Sequence, residues 1–352
     1  MDSLTQIILG AAAGEVVLGK KIGNRALLWG AIAGTIPDLD VLGGLFLNSV
    51  DNISFHRGIS HSITFSVLGA FLFGWLVHKL YEFLDSRREK PRPKASLKGW
   101  QWLFFWGLFT HPILDCFTMY GTELFAPFSD ARIAWATISV ADPLYTIPFL
   151  ICLIVASFFK RESKKRRFWN YLGIGLSSCY LLFTVVNKQL INNKFEEALS
   201  VSNIAAERYS TNASILNNIL WSCMAETKEA FYTAQYSWFD EGEIEFIRIE
   251  KNHELIHNID EDPTILELRK FSKDYFTVIP IGDQLQYNDL RFGTFYGKGD
   301  EATDFPFRFI MDYDDSQGYM LQGTLGGPAP GQEKEMMAFL WNRIWGDKER
   351  IQ

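Results

Sequence analysis

Long apolar runs punctuated by short charged clusters fill the first half of the chain, and the pattern changes near residue 188. Segments of roughly 20 largely apolar residues predict helices that cross a bilayer. Four stand out: Ser62 to Leu84, Trp100 to Asp115, Pro143 to Phe159 and Phe168 to Val186. Two others, Leu4 to Leu18 and Ala26 to Ile36, are shorter and rich in Gly and Ala. Small residues let helix backbones approach closely, so this pair reads either as a tight hairpin inside the bundle or as segments that cross only partly. Beyond them, a polar, helix-compatible stretch from Asn187 to Arg208 leads into short β-rich runs. These are Ile219 to Ala225, Ala230 to Trp238, Ile244 to Ile249, Tyr275 to Pro280 and Phe305 to Asp312, with a helix over Pro263 to Ser272. Gly323 to Gly331 holds four Gly and two Pro and reads as a loop, and Glu333 to Trp345 as a final helix. The expected architecture is an all-α polytopic membrane bundle of about six helices over residues 1–188, followed by a soluble α+β domain over 189–352.

Charge sharpens this division. Up to Lys188 the chain carries 19 basic and 13 acidic residues, against 15 and 28 after it. A mildly basic apolar half joined to an acidic half suits a membrane domain carrying a water-soluble one. The basic residues gather in three loops: Lys20, Lys21 and Arg25; then Arg87, Arg88, Lys90, Arg92, Lys94 and Lys98; then Lys160, Arg161 and Lys164 to Arg167. With six spans all three loops share one face, and the positive-inside rule makes that face cytoplasmic. Solvated charge runs are the plainer alternative, but three alternating loops agree on one side. The residues from Pro37 to His61, from His111 to Asp142 and after Lys188 then lie on the extracytoplasmic face. The four cysteines form no Cys-x-x-Cys pair and imply no disulfide framework. With no basic n-region and with Glu15 inside the first segment, a cleaved signal peptide is not expected.

Ionisable residues are costly in or near a bilayer and are read first as functional. Three clusters bracket the apolar segments. Asp38 and Asp40, in Pro-Asp-Leu-Asp, cannot share one helix face, but after a Pro they suit a turn that aims both carboxylates into a pocket. Alone, that motif is more often surface punctuation. His56 and His61 flank Arg57 in His-Arg-Gly-Ile-Ser-His; their spacing puts at least one in the loop before the third span, with Ser60 placed to cap that span. Imidazole is a common metal ligand, and Arg57 is a permanent cation suited to an anionic substrate. His111 and Asp115 are four apart, which stacks them on one helix face, and Pro112 between them marks a kink or a fresh start. Asp115 then serves as a ligand or orients the imidazole. Asp142, before Pro143, reads as an N-cap with a ligand role as the alternative, and Glu15 as a packing group or a remote part of the site. His78, His253 and His257 are read as structural or solvated.

The run Met-Asp-Ser-Leu-Thr-Gln with Pro-Asp-Leu-Asp, His-Arg-Gly-x-Ser-His-Ser and Thr-His-Pro-x-Leu-Asp resembles the membrane-bound metal-dependent hydrolases of the YdjM/YbcI type, over about the first half of the chain. The resemblance implies an integral protein of the bacterial inner membrane, hydrolysis assisted by a divalent metal, and a distant relation to the zinc-dependent phospholipase C and P1 nuclease fold. The matching positions are Asp38, Asp40, His56, His61, His111 and Asp115. One departure is Gln6, where the family often has His after Thr. Gln6 then offers an amide oxygen, or Glu15 compensates, or one metal position is lost.

Together these readings give a hydrolase of esters or phosphoesters at the extracytoplasmic membrane face. Its metal ligands are Asp38, Asp40, His56, His61, His111 and Asp115, and Asp38, Arg57 and Asp115 are placed in catalysis. The metal is expected to be zinc, with manganese or magnesium as alternatives. The expected partners are the lipid bilayer and an amphiphilic or phosphorylated substrate, with no nucleic acid. The competing readings are a membrane scaffold with a structural metal site and an ion-coupled transporter. Ligands clustered at one face favour the hydrolase, because a transport path needs ionisable groups spread across the membrane. No Gly-x-Ser-x-Gly is present to support a serine hydrolase.

Overall fold

A computed structural model describes residues 1–45, 55–89, 92–295, 302–327 and 331–348. Lys90 and residues 328–330 of the glycine-rich stretch therefore lie outside the described residues. Two compact units result: residues 1–45 with 55–184, and the residues from Val185 onward. The first is helical: α1 (Ser3–Ile22), α2 (Asn24–Thr35), a 3-10 helix (Pro37–Leu45), a short 3-10 turn (Ile59–His61), α3 (Ile63–Ser86), α4 (Leu97–Asp115), α5 (Pro143–Ser157) and α6 (Lys164–Val201), which continues into the second unit.

Among the described residues of this unit six α-helices thus form in the expected order, but they are not six membrane-length spans. Among the described residues only α3 and α6 are long and apolar enough, and a third span arises if α2 and the following 3-10 helix, bent by 44°, count as one. The reason is length and composition. The 15 residues of α5 reach only about 22 Å at 1.5 Å per residue, short of a hydrocarbon core of roughly 30 Å. Helix α1 carries Glu15, Lys20 and Lys21, and α4 carries Lys98, His111 and Asp115 at its two ends.

Glycine builds the α1–α2 hairpin. A Cβ on Gly10 would meet the Gly30 carbonyl oxygen at 2.4 Å, one on Gly14 the Ala26 oxygen at 2.3 Å, and one on Gly34 the Gln6 oxygen at 2.5 Å. The antiparallel pairing of Gly10 with Gly34 and Gly14 with Gly30 brings backbone against backbone, the close approach that small residues permit. Around the hairpin pack Leu18, Ile22 and Ala33 with Trp100, Leu103, Phe104 and Leu108 of α4. On another side, Ile8, Ala11 and Ala12 pack with Leu114, Tyr145, Phe149 and Leu153.

The three basic loops meet at one end of this unit. Arg25 Nη2 donates to the Pro93 carbonyl at 2.6 Å, Arg161 Nη1 to the Lys21 carbonyl at 3.0 Å, and Asn24 Nδ2 to the Ser157 carbonyl at 3.2 Å.

The second unit holds two four-stranded antiparallel meanders. One is β1 (Arg208–Ala213), β2 (Leu220–Glu226), β3 (Ala230–Ser237) and β4 (Ile247–Glu250); the other is β5 (Phe276–Ile281), β6 (Gln284–Asp289), β7 (Phe307–Asp314) and β8 (Gly318–Gly326). Ile191 and Phe195 of α6 pack on Trp221, Cys223 and Ala234 of the first sheet. Ile265 and Leu268 of α7 (Pro263–Ser272) pack on Phe276, Val278, Phe309 and Met311 of the second. The chain ends its regular structure with α8 (Glu333–Ile344). The helix-compatible stretch from Asn187 is helical as far as Val201, where it continues α6 without a break. One sequence expectation is corrected here: the glycine-rich segment begins as strand, since β8 extends to Gly326 and pairs with β7 from Phe307. Ladder hydrogen bonds to a partner strand override glycine's weak strand preference.

The hairpin contact makes a direct prediction. Gly14→Ala places a methyl group against rigid backbone and should cost about 1–3 kcal/mol, read as a lowered melting temperature of the detergent-solubilised protein. Gly175→Ala, on α6 with nothing within 4 Å of its added Cβ, should be neutral or slightly stabilising. Equal effects at both positions would remove the hairpin from this role.

Candidate metal centre

At the end of the helical unit opposite the basic loops, three segments converge. The α2 helix stops at Thr35, and Pro37 starts a 3-10 helix whose tight winding carries Asp38 and Asp40 inward, with Asp40 buried. The 3-10 turn Ile59–His61 delivers His61, fully buried, just before α3. The last turn of α4 supplies His111 and Asp115, four residues apart and both buried. The helix continues through Pro112 and ends at Asp115. One donor atom each from Asp38, His61, His111 and Asp115 lies within 4.8 Å of the others, a group that could hold a metal ion.

The geometry around the two imidazoles explains why. His111 Nδ1 lies 2.6 Å from the Gly34 carbonyl oxygen, which can only accept, so Nδ1 carries the proton. His61 Nδ1 sits 3.0 Å from Ser60 Oγ and 3.2 Å from Asp40 Oδ2, while Ser60 gives its own hydroxyl proton to Asp40 Oδ2 at 2.8 Å. With both rings neutral, both Nε2 atoms therefore carry lone pairs, and they face each other at 3.1 Å. Asp38 Oδ1 stands 3.4 and 3.3 Å from them, and Asp115 Oδ2 3.6 and 3.7 Å. Four electron-pair donors turned toward one point repel unless positive charge sits between them. Burial pushes the His61 pKa down, but the hydrogen bonds with Asp38 and Asp40, together with the charges of Asp115 and Asp40, outweigh it and the net shift is upward.

Three buried polar atoms border the group without a hydrogen-bond partner among the described residues: Asp115 Oδ2, Gln6 Oε1 and Arg57 Nε. Buried polar atoms are normally paired, so a cluster of unpaired ones points to a missing group. Asp115 Oδ1 is occupied, accepting from Gln6 Nε2 at 2.9 Å and from the Met1 nitrogen. Gln6 Nε2 also donates to the His111 carbonyl at 3.2 Å.

The other expected site residues surround this group. Asp40 accepts from the Arg57 backbone nitrogen at 3.0 Å and from Ser60, and contacts both His61 and His56, the latter at 2.8 Å through Oδ1. It is thus placed as the carboxylate that orients His61. His56 lies apart from the four donors, half-exposed, its Nδ1 held by Asp40. Arg57 is buried at a positive φ of 63°, with Nη1 donating to Thr118 Oγ1 at 3.1 Å, its guanidinium 4.9 Å from the Tyr120 ring and Nε 3.6 Å from Asp115 Oδ2.

The remaining residues singled out in the sequence lie outside this group. Ser62, not Ser60, caps α3, accepting from the Phe65 nitrogen at 3.0 Å, because Ser60 is engaged with Asp40 and His61. Asp142 caps α5 and accepts from Tyr180 at 2.9 Å. His78 pairs with Glu82 on α3, and His253 stacks on Phe276 in the β-rich unit. Cys116, next to Asp115, stays protonated: burial and then the Asp115 charge push its thiol up to about 12. Glu15 does not compensate for Gln6. It forms a buried two-point pair with Arg166, Oε1 to Nε and Oε2 to Nη2, both at 2.6 Å. That arginine also donates to Asn24 Oδ1 at the end with the basic loops.

Breaking a buried pair leaves an unpaired charge. Glu15→Gln should therefore destabilise the protein by about 3–5 kcal/mol, while Glu15→Leu with Arg166→Met together should recover most of that loss. A melting series that shows the double variant no better than Glu15→Gln would overturn this account.

A model of the YdjM inner membrane protein family matches residues 1–191. An uncharacterized Bacillus subtilis (strain 168) protein, YfhP, is 27% identical over 162 residues, covering 44% of this chain and 46% of its own length. The chain thus spans just under half of that relative. The inner membrane protein YbcI of Escherichia coli (strain K12) is 31% identical over 140 residues, 38% of this chain and 74% of YbcI. No solved structure matches.

Proposed function

The chain belongs to the YdjM inner membrane protein family, and from that premise we propose that its buried Asp–His group binds a divalent metal, zinc, and hydrolyses an ester or phosphoester. The observation that carries this reading is the pair of facing Nε2 lone pairs, 3.1 Å apart, with two carboxylate oxygens beside them. Two neutral imidazoles with two carboxylates form a donor set suited to zinc, with manganese the next choice.

Asp38, His61, His111 and Asp115 would hold the ion. When bound, it would lower the pKa of a water molecule and polarise the scissile bond. The Gly34 carbonyl and Asp40 keep the two imidazoles in the tautomer and orientation that ligation requires. Arg57, whose Nε faces Asp115 Oδ2 at 3.6 Å without a hydrogen bond, carries a guanidinium that would neutralise an anionic group of the substrate. His56 is half-exposed, its Nδ1 held by Asp40.

The meeting of the three basic loops at the far end supports a cytoplasmic position for that end and an extracytoplasmic one for the site. A site at a membrane edge favours an amphiphilic substrate such as a phospholipid or a lipid-linked phosphate.

Elemental analysis of the detergent-purified protein tests the first step. The parent should carry about one zinc per chain, His61→Ala and His111→Ala should lose it, and Asp40→Asn should keep the donors but bind some 10–100-fold more weakly. A folded parent that binds neither zinc, manganese nor magnesium after reconstitution would sink the metal reading. For hydrolysis, the loaded protein should cleave a chromogenic phosphodiester or ester, and Arg57→Gln should lose turnover while retaining metal. Full metal with no turnover across such a panel would instead assign the ion a structural role.

A further inference from the structure

The apolar run of α6 ends at Val186, and Asn187, Lys188 and Gln189 follow it, so in a bilayer spanned by this helix Asn187 would stand where it leaves the hydrocarbon. Asn187 is buried and fully engaged within the β-rich unit. Its Nδ2 donates to Asn218 Oδ1 at 2.7 Å and to the Asn218 carbonyl at 2.8 Å, and its Oδ1 accepts from Trp238 Nε1 at 2.8 Å. These bonds hold the β1–β2 connection and the end of β3 at that same level.

Large apolar side chains stand exposed there. Ile215 and Leu216 project from the β1–β2 connection, and Leu216 adopts φ +68°, a conformation that a leucine disfavours. Trp238 and Phe239 extend from the end of β3. The Phe239 ring lies 5.1 Å from Trp345, which is 5.8 Å from Trp341, itself 62% exposed. The tail of α8 is fixed in this place, since Ser237 Oγ donates to the Ile344 carbonyl and the buried Arg343 pairs with Asp240.

We propose that these six side chains form a platform that seats the β-rich unit in the headgroup region of the bilayer around the exit of α6. Tryptophan concentrates at that depth because its ring is apolar while its N–H seeks water. Grouped exposed apolar side chains are unusual on a surface that faces only water. The lipid is the occupant favoured here because a membrane-length helix delivers the patch to the interface. The proposal is independent of the metal site.

The test uses the full chain in lipid nanodiscs, in a Cys179→Ser background, with an environment-sensitive fluorophore on Ile215→Cys, Trp341→Cys or Ser316→Cys. Ser316 is exposed in the β7–β8 turn, away from the platform residues in sequence. Labels at 215 and 341 should be quenched at least about twofold more by shallow nitroxide-labelled lipid than the label at 316, and less by aqueous iodide, as interfacial residues are. Iodide access equal to that at 316 would overturn the proposal. So would shielding from both quenchers, which would assign the face to a protein partner or a second copy.

Discussion

Everything at the candidate metal centre depends on how closely two helix backbones can approach. The α1–α2 contact leaves no room for a Cβ at Gly10, Gly14, Gly30 or Gly34. That same contact sets Gln6 beside Asp115 and the Gly34 carbonyl against His111. A wider crossing would pull the carbonyl from the imidazole and release the tautomer on which the donor set relies. Site geometry is thus a by-product of helix packing: the residues that make the approach possible carry no chemistry themselves.

The chain divides its electrostatics between its two ends. Near the basic loops, Glu15 and Arg166 satisfy each other with two-point bonding and are buried together. At the other end, carboxylates and imidazoles are gathered with atoms left unpaired. The first arrangement is self-contained and reads as architecture; the second leaves donor atoms that a further positive charge could bridge. That contrast separates these two clusters more clearly than burial alone does.

The sequence made the chemistry more legible than the architecture. His111 and Asp115 were readable from helical spacing, and Asp38 from its place after Pro37, because local geometry fixes where such residues point. The division of labour was not readable. Whether Ser60 or Ser62 caps α3 depends on which hydroxyl Asp40 claims, and the partnership of Glu15 with Arg166 joins positions 151 apart. Span number was misjudged because an apolar run shows composition but not the length of helix that forms from it, as α5 illustrates. Strands β1, β6 and β8 escaped notice for a related reason: Arg208–Ala213 and Gln284–Asp289 are polar and Gly318–Gly326 is glycine-rich, so neighbouring strands, not side-chain preference, hold them extended.

Asp40 divides its two oxygens between two histidines, Oδ1 toward His56 and Oδ2 toward His61. One ring faces the buried group and the other reaches the surface, yet both take their orientation from a single carboxylate. Substitutions at positions 40, 56 and 61 will consequently be non-additive, each altering the background in which the others are read. Drift at this corner of the protein is constrained as a unit: a change at position 40 alters two imidazoles at once, whereas a change at position 56 leaves the ring of His61 its own oxygen.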